Sequence, residues 1–329
     1  MKLRKLATFG GITLGPLGTG LAIHTFLPQR FAIEAPWYEA QKEPASRLHT
    51  SSLPEIGVAF LRCGSITLPE AIAVRGASPL ASCVISYSAV LVRHPQATFL
   101  YDTGLCASIS TYFMHQSLFI RKLLGSFQFE QSLNSHLTAM GVAREEIAFA
   151  LLSHLHWDHV SGIPELPGVP LHVNRVEYEA AKLGLLDANN GLVRQLMGDN
   201  PIELFDCAGP AYEGFRSSFD LFGDGSLVLV PLPGHTAGNT GLFINRSNGP
   251  RLFLLGDAVW VSQNYTRPAT MHPFLWNMFT WDDATARQTL IELYHFARRH
   301  PEIALVGMHD AAMQESLMAA GRPMQTAKP

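Results

Sequence analysis

Four short apolar runs in this chain each stop on a side chain able to bind a metal ion, and this constrains its fold more than any other feature. Residues 147–152 lead into Ser153-His154-Leu155-His156-Trp157-Asp158-His159, and the other three runs end on His235, Asp257 and His309. Short apolar runs bounded by turn signals read as buried strands, so seven ligand types stand at strand ends. In extended chain, residues two apart project to the same side. His154 and His156 therefore reach one ion together while Leu155 points into the core, and Asp158 and His159 lie one step further round, where the chain turns. A second ion needs partners from distant sequence, which His235, Asp257 and His309 supply.

A lone histidine on an apolar face usually reads as a satisfied core residue, as for His172, His272 and His295. Three His and an Asp within six residues are different, because so many buried polar atoms are costly unless something coordinates them. Imidazole and carboxylate are the ligands of catalytic zinc sites, which keep one position open for water; iron, manganese and cobalt also suit such a set. Two zinc ions side by side would share a water and bring its pKa toward about 7, giving a bridging hydroxide able to attack a carbonyl or phosphoryl centre. Asp158 is placed to carry the proton to the leaving group. No G-x-S-x-G offers a competing serine nucleophile.

The body of the chain sets the domain plan. With a net charge of -3 over 329 residues and no Lys/Arg-rich run in the body, there is no electrostatic footprint for nucleic acid. Lys2, Arg4 and Lys5 precede a stretch without Asp, Glu, Lys or Arg over residues 6–27. Residues 1–30 therefore read as a signal sequence or membrane anchor, retained rather than cleaved, with the domain exported to the periplasmic or extracellular side; an apolar helix packed on the domain is the alternative. Residues 31–55 read as a linker and 56–329 as one catalytic domain. Cys63, Cys83, Cys106 and Cys207 form no C-x-x-C pair, and four buried free thiols are expected. Strands are expected at 57–62, 83–92, 98–101, 147–152, 227–232, 252–255 and 303–308, with helical spacing over 108–140 and 175–186. A last helix is capped around Thr280 and Asp283 and ends at Arg298, Arg299 and Pro301. Strands interleaved with helices imply an α/β fold of helix-covered sheets.

Together these residues carry a resemblance. His154-Leu155-His156-Trp157-Asp158-His159 resembles the H-x-H-x-D-H motif of the metallo-β-lactamase superfamily, and Tyr101-Asp102-Thr103-Gly104, Pro233-Gly234-His235-Thr236-Ala237-Gly238, Leu255-Gly256-Asp257-Ala258 and Gly307-Met308-His309-Asp310 are similar to its other motifs, in order. The resemblance implies a four-layer αβ/βα sandwich, with two mixed β-sheets facing each other, helices outside and the site at one edge. It assigns His154, His156 and His235 to the first metal and Asp158, His159 and His309 to the second. Asp257 would bridge both, and Asp102 would orient the ligands from behind.

Within the superfamily, the sequence around His309 and His300-Pro301 is most similar to the N-acyl homoserine lactonase branch. Many of those enzymes carry a Tyr three residues after the bridging Asp; here Trp260 stands there, and Tyr265 is the expected substitute. Trp157, Trp260, Tyr265, Phe274 and Trp276 are expected to wall the pocket, implying a small-molecule substrate with an apolar acyl portion; packing beneath the final helix is the other reading of these aromatics. The expected reaction is metal-dependent opening of an ester-like bond, a lactone first. A glyoxalase-II-like thioesterase and a phosphodiesterase are the alternatives, and a non-catalytic scaffold comes last. Oxidative diiron members carry Glu where His156 stands, which argues against redox chemistry.

Overall fold

The computed structural model describes residues 53–114, 126–183 and 191–320, together with residues 27, 28, 31, 118, 121 and 122. The proposed anchor and nearly all of the proposed linker lie outside the described residues. Among the described residues no helix is long and apolar enough to cross a membrane. Leu53 and Ile56 are already buried, and Pro54 accepts a backbone hydrogen bond from Ser247.

Two mixed sheets form the centre. The larger contains β1 (Gly57–Pro69), β2 (Ser82–His94), β3 (Ala97–Thr103), β4 (Gln128–Phe129), β5 (Ile147–Leu152), β6 (Leu171–Asn174) and β7 (Ile202–Phe205), in the order β4-β1-β2-β3-β5-β6-β7. The smaller contains β8 (Phe219–Asp220), β9 (Leu227–Pro231), β10 (Thr240–Ile244), β11 (Leu252–Leu254) and β12 (Ala304–Val306), in the order β12-β11-β10-β9-β8. Period-two alternation builds the layers. Leu227 and Leu229 of β9 join Val90, Val92, Phe99 and Tyr101 in the core between the sheets. Val228 and Val230 face the other way, where Phe243 and Phe253 stack 3.8 Å apart beneath Leu290, Leu293 and Phe296 of a helix. On the far side of the large sheet, Leu61, Leu91, Leu100 and Leu152 pack against Leu133, Leu137, Leu192 and Leu196. The result is the expected order of helix, sheet, sheet, helix.

Two helical expectations need correction. The stretch 108–140 is not one helix: α1 (Ile109–Met114) and α2 (Leu133–Ala139) flank β4, whose Gln128 and Phe129 pair with Ser65 and Gly64. Ser132 restarts the helix by accepting from Ser135 N at 3.2 Å; residues 115–117, 119–120 and 123–125 of the stretch lie outside the described residues. The last long helix, α3 (Asp283–Arg299), is capped by Asp282, not Thr280, because the Asp282 carboxylate accepts from Thr285 N at 2.8 Å. The four cysteines are free as expected, although Cys83 and Cys207 are only half-buried.

β3 runs parallel to β5, β11 runs parallel to β12, and β9 and β11 are both antiparallel to β10. This topology is what gathers the site, since β3, β5, β9, β11 and β12 all carry candidate residues at or just beyond their C-terminal ends. Open α/β sheets bind ligands at such an edge.

Candidate metal centre

The structure brings all seven sequence-chosen ligand types together. His154 follows β5, and a single helical turn, Trp157–Val160, presents Asp158 and His159 with His156 at its N-cap. His154 Nε2 lies 3.1 Å from His156 Nδ1, which lies 2.8 Å from His235 Nε2. On the other side, His309 Nε2 lies 3.3 Å from Asp158 Oδ2 and 3.0 Å from Asp257 Oδ2. Asp257 joins the halves, with Oδ1 3.3 Å from His159 Nε2 and Oδ2 3.4 Å from His235 Nε2. Three sets with ligand atoms within 4.8 Å of one another result: His154/His156/His235, His154/His159/Asp257 and Asp158/His159/His309.

The hydrogen bonds behind the rings fix their tautomers. The Ser86 carbonyl can only accept, so His309 donates to it from Nδ1 at 2.7 Å. Asp102 Oδ2 accepts from His159 Nδ1 at 2.7 Å and from Ser153 Oγ at 2.8 Å. With its proton so committed, Ser153 Oγ accepts from His154 Nδ1 at 3.0 Å. Each of these rings in its neutral form therefore aims an Nε2 lone pair inward. His159 Nε2 and Asp257 Oδ1 are buried without a hydrogen-bond partner. Converging lone pairs and orphaned atoms of the N/O type are what a pair of divalent cations would satisfy. The residues fit such ions.

Asp102 stands where the resemblance placed it. Its backbone is left-handed at φ 54, an unfavourable state for a non-glycine residue, and Ser153 N, Ser153 Oγ and His159 tie its carboxylate from three sides. Two more clamps escaped the sequence reading. Glu177, buried in the helix Arg175–Leu183, accepts from Leu155 N at 2.8 Å and Gly238 N at 2.9 Å, joining the His156 loop to the His235 loop. Asn239 donates to Leu232 O and Leu255 O and accepts from Asp257 N at 3.1 Å, joining the His235 loop to the Asp257 loop. Asn239 directly follows the Pro233–Gly238 motif, the one signal that pointed to it. Gly256 (φ 54) makes this approach possible, because a Cβ there would meet Asn239 Oδ1 at 2.3 Å.

The expected pocket residues divide. Trp260 reaches the centre, its ring 5.3 Å from His309, but its indole N–H donates to Asp257 Oδ2 at 3.1 Å. Tyr265 does not serve as a substitute phenol, since its ring is in the core and its hydroxyl donates to Leu305 O at 3.2 Å. Trp276 is buried behind Trp260 and donates to Asp283 Oδ1 at 2.6 Å. Phe274 stands half-buried in the first turn of the helix Pro273–Phe279. Trp157 is buried against Phe113 at 4.9 Å. The half-buried rings beside the histidines are Trp260, Phe279, 6.4 Å from His156, and Tyr87, 5.6 Å from His309.

Comparison with known proteins decides the lineage. The profile of the metallo-beta-lactamase superfamily matches residues 84–293. The chain belongs to that superfamily. N-acyl homoserine lactonase AttM of Rhizobium radiobacter is 27% identical over 144 residues, 43% of this chain and 52% of that protein, so the chain spans about half the length of this relative. N-acyl homoserine lactonase of Bacillus thuringiensis is 23% identical over 230 residues, covering 69% of this chain and 82% of its own. Among solved structures, an N-acyl homoserine lactone hydrolase with the product N-hexanoyl-L-homoserine at its catalytic metal centre superposes with a TM-score of 0.61 at 18% identity, covering 80% of this chain and 96% of that one. AidC, a dizinc quorum-quenching lactonase in complex with its product, gives 0.53 at 16% identity, covering 79% and 89%. At these identities the structures establish a shared metallo-beta-lactamase fold.

Electrostatics in this superfamily member predict how ions enter. Burial pulls His309 down, but Asp257 and Asp158 outweigh it and raise the ring to about 10. Burial likewise opposes Asp102, Asp257 and Asp158 at His159, which ends well above the usual range. His235 is pushed down to about 3 by burial and by His156. The metal-free centre thus holds protons on His159 and His309 at neutral pH, and an ion must displace them. Apparent zinc affinity is expected to rise about tenfold per pH unit for each proton displaced between pH 6 and 8. Calorimetric titration in buffers of different ionisation heat measures this; affinity flat with pH would contradict it. The sign for the metal-free fold is opposite: the raised His309 stabilises it fully below its ordinary value of about 6.5, and that contribution is lost as pH rises through about 10.

Proposed function

We propose that this chain is a dinuclear metal hydrolase that opens the ring ester of lactones bearing an apolar acyl group. The observation that carries the reading is the convergence of His154, His159 and His309, each locked from behind with Nε2 inward, on Asp257. Two divalent cations held there, most simply zinc, would supply Lewis acidity and a water acidic enough to yield hydroxide near neutral pH. His154, His156 and His235 would hold one ion and Asp158, His159 and His309 the other, with Asp257 between them.

The chain's own residues do the rest. Trp260 fixes Asp257 through the indole N–H, so the shared carboxylate keeps one orientation. Burial alone would lift Asp158, but His159 and His309 hold its carboxyl below the ordinary range. It is therefore ionised, and as a half-buried group at the mouth it can take up a proton and pass it to the leaving alkoxide. Trp260, Phe279 and Tyr87 offer an apolar rim for an acyl chain. The names of the relatives, lactonases acting on acyl homoserine lactones, support the choice of lactone.

The test combines metal analysis with hydrolysis of acyl lactones of graded chain length, set against a thioester and a phosphodiester. Two metals per chain with lactone turnover that improves with acyl length is the expected result. Rapid thioester cleavage without lactone turnover would reassign the substrate, and a carefully prepared sample free of transition ions would remove the mechanism. We infer further that the basic flank and uncharged residues 6–27 tether the domain to a membrane as an exported protein, which fractionation of the full chain tests: recovery in the soluble fraction would refute the tether.

A further inference from the structure

We propose that the hydroxyl of Tyr87 is the hydrogen-bond donor of this active site, binding an oxygen of the scissile ester and stabilising the negative charge that develops on it. The inference rests on the hydrolytic reading above. Three other aromatic donors in the same region are committed: Trp260 to Asp257, Tyr265 to Leu305 and Trp276 to Asp283.

Tyr87 is placed differently. It follows Ser86, whose carbonyl locks His309, so β2 delivers ring and ligand lock from adjacent residues. The Tyr87 ring stands edge-on to His309 at 5.6 Å and 81°, and touches Trp157 and Phe127 at the same centroid distance. Four surfaces thus hold the ring on the Asp158 side of the cluster: the strand, His309, Trp157 and Phe127. Among the described residues nothing accepts a hydrogen bond from its hydroxyl. On this half-buried ring the hydroxyl is free to donate to a bound molecule, and an ester oxygen would supply the acceptor. Burial, with the charges of Asp158 and Asp257, pushes the phenol's pKa up strongly, so it remains a neutral donor across the working range. A fixed donor beside the atom on which charge develops acts mainly on the transition state.

Tyr87→Phe separates this role from packing, because it keeps every ring contact and removes only the hydroxyl. With an N-acyl homoserine lactone and zinc-loaded full-length protein, kcat is expected to fall about 100-fold, the scale for losing one oxyanion donor, while KM, zinc content and melting temperature stay near wild type. Tyr87→Leu should lose at least as much. If Tyr87→Phe turns over like wild type while Tyr87→Leu fails, the ring acts by packing and the inference is overturned. Loss of zinc or of melting temperature in step with activity in Tyr87→Phe overturns it equally, as a structural role. A wild type inactive on lactone, thioester and phosphodiester alike would instead bring down the hydrolytic reading, and this inference with it.

Discussion

Asp257→Ala is expected to retain the fold, to hold fewer than two metals per chain, and to lose at least about a thousandfold in kcat/KM, since metal stabilisation of developing charge supplies several kcal/mol and each 1.4 kcal/mol is about tenfold. The reason is positional. Asp257 alone among the described carboxylates touches both halves of the centre, lying 3.4 Å from His235 Nε2 and within 3.3 Å of His159 and His309. Without it the two histidine sets face each other with no anion between them; the proton on His309 loses its nearest counter-charge, and that on His159 keeps Asp102 at 2.7 Å but loses the carboxylate at its inner nitrogen. Elemental analysis and lactone kinetics on the same preparation read both effects. A two-metal, fully active Asp257→Ala protein would mean that the centre is built differently from the one described.

Asn239→Ala tests the scaffold, not the ligands. Asn239 is fully buried and uses all of its nearby capacity: two donors on Leu232 O and Leu255 O, one acceptor for Asp257 N. Alanine leaves Leu232 O and Asp257 N unpaired and takes from Leu255 O one of its two donors, the other being Ala258 N; with about 1–3 kcal/mol per orphaned group, a loss of roughly 3 kcal/mol follows. For a domain of this size that corresponds to a fall of about 6–12 °C in melting temperature. Because the same bonds set the spacing between His235 and Asp257, metal affinity should also fall about 10- to 100-fold, as for groups that support ligands from behind. Thermal melts of the zinc-loaded and metal-free proteins, with chelator competition, separate the two effects. A variant melting with wild type would show that the loops hold their places without this clamp.

Much of the centre was legible from residue order alone. Metal ligands come in chemically narrow types, and His154, His156, Asp158 and His159 sit within one strand end and one helical turn, where spacing dictates direction. Asp102 was reachable only through the family motif, since nothing in its local sequence says that Ser153 and His159 will stand over it. The aromatic stretch after Asp257 misled because sequence proximity says little about which way a ring points. The turn closed by Ala258 N on Leu255 O folds Trp260 back onto Asp257. Tyr265 meets β12 instead, where its hydroxyl donates to the Leu305 carbonyl. The stretch 108–140 showed helical spacing throughout, yet pairing of Gln128 and Phe129 with β1 interrupts it.

By itself, the sequence determined the strands that carry the ligands, the layered α/β class and the identity of the seven converging side chains. Those follow from periodicity and residue chemistry, which are local. Only the tertiary structure decided which groups stand behind the ligands, with Ser86 under His309, Glu177 and Asn239 between the loops, and which aromatic donors are already engaged. Such partners lie up to 223 positions apart and must come within about 3 Å. Periodicity reports the face of an element and not what the opposite face will bring to it.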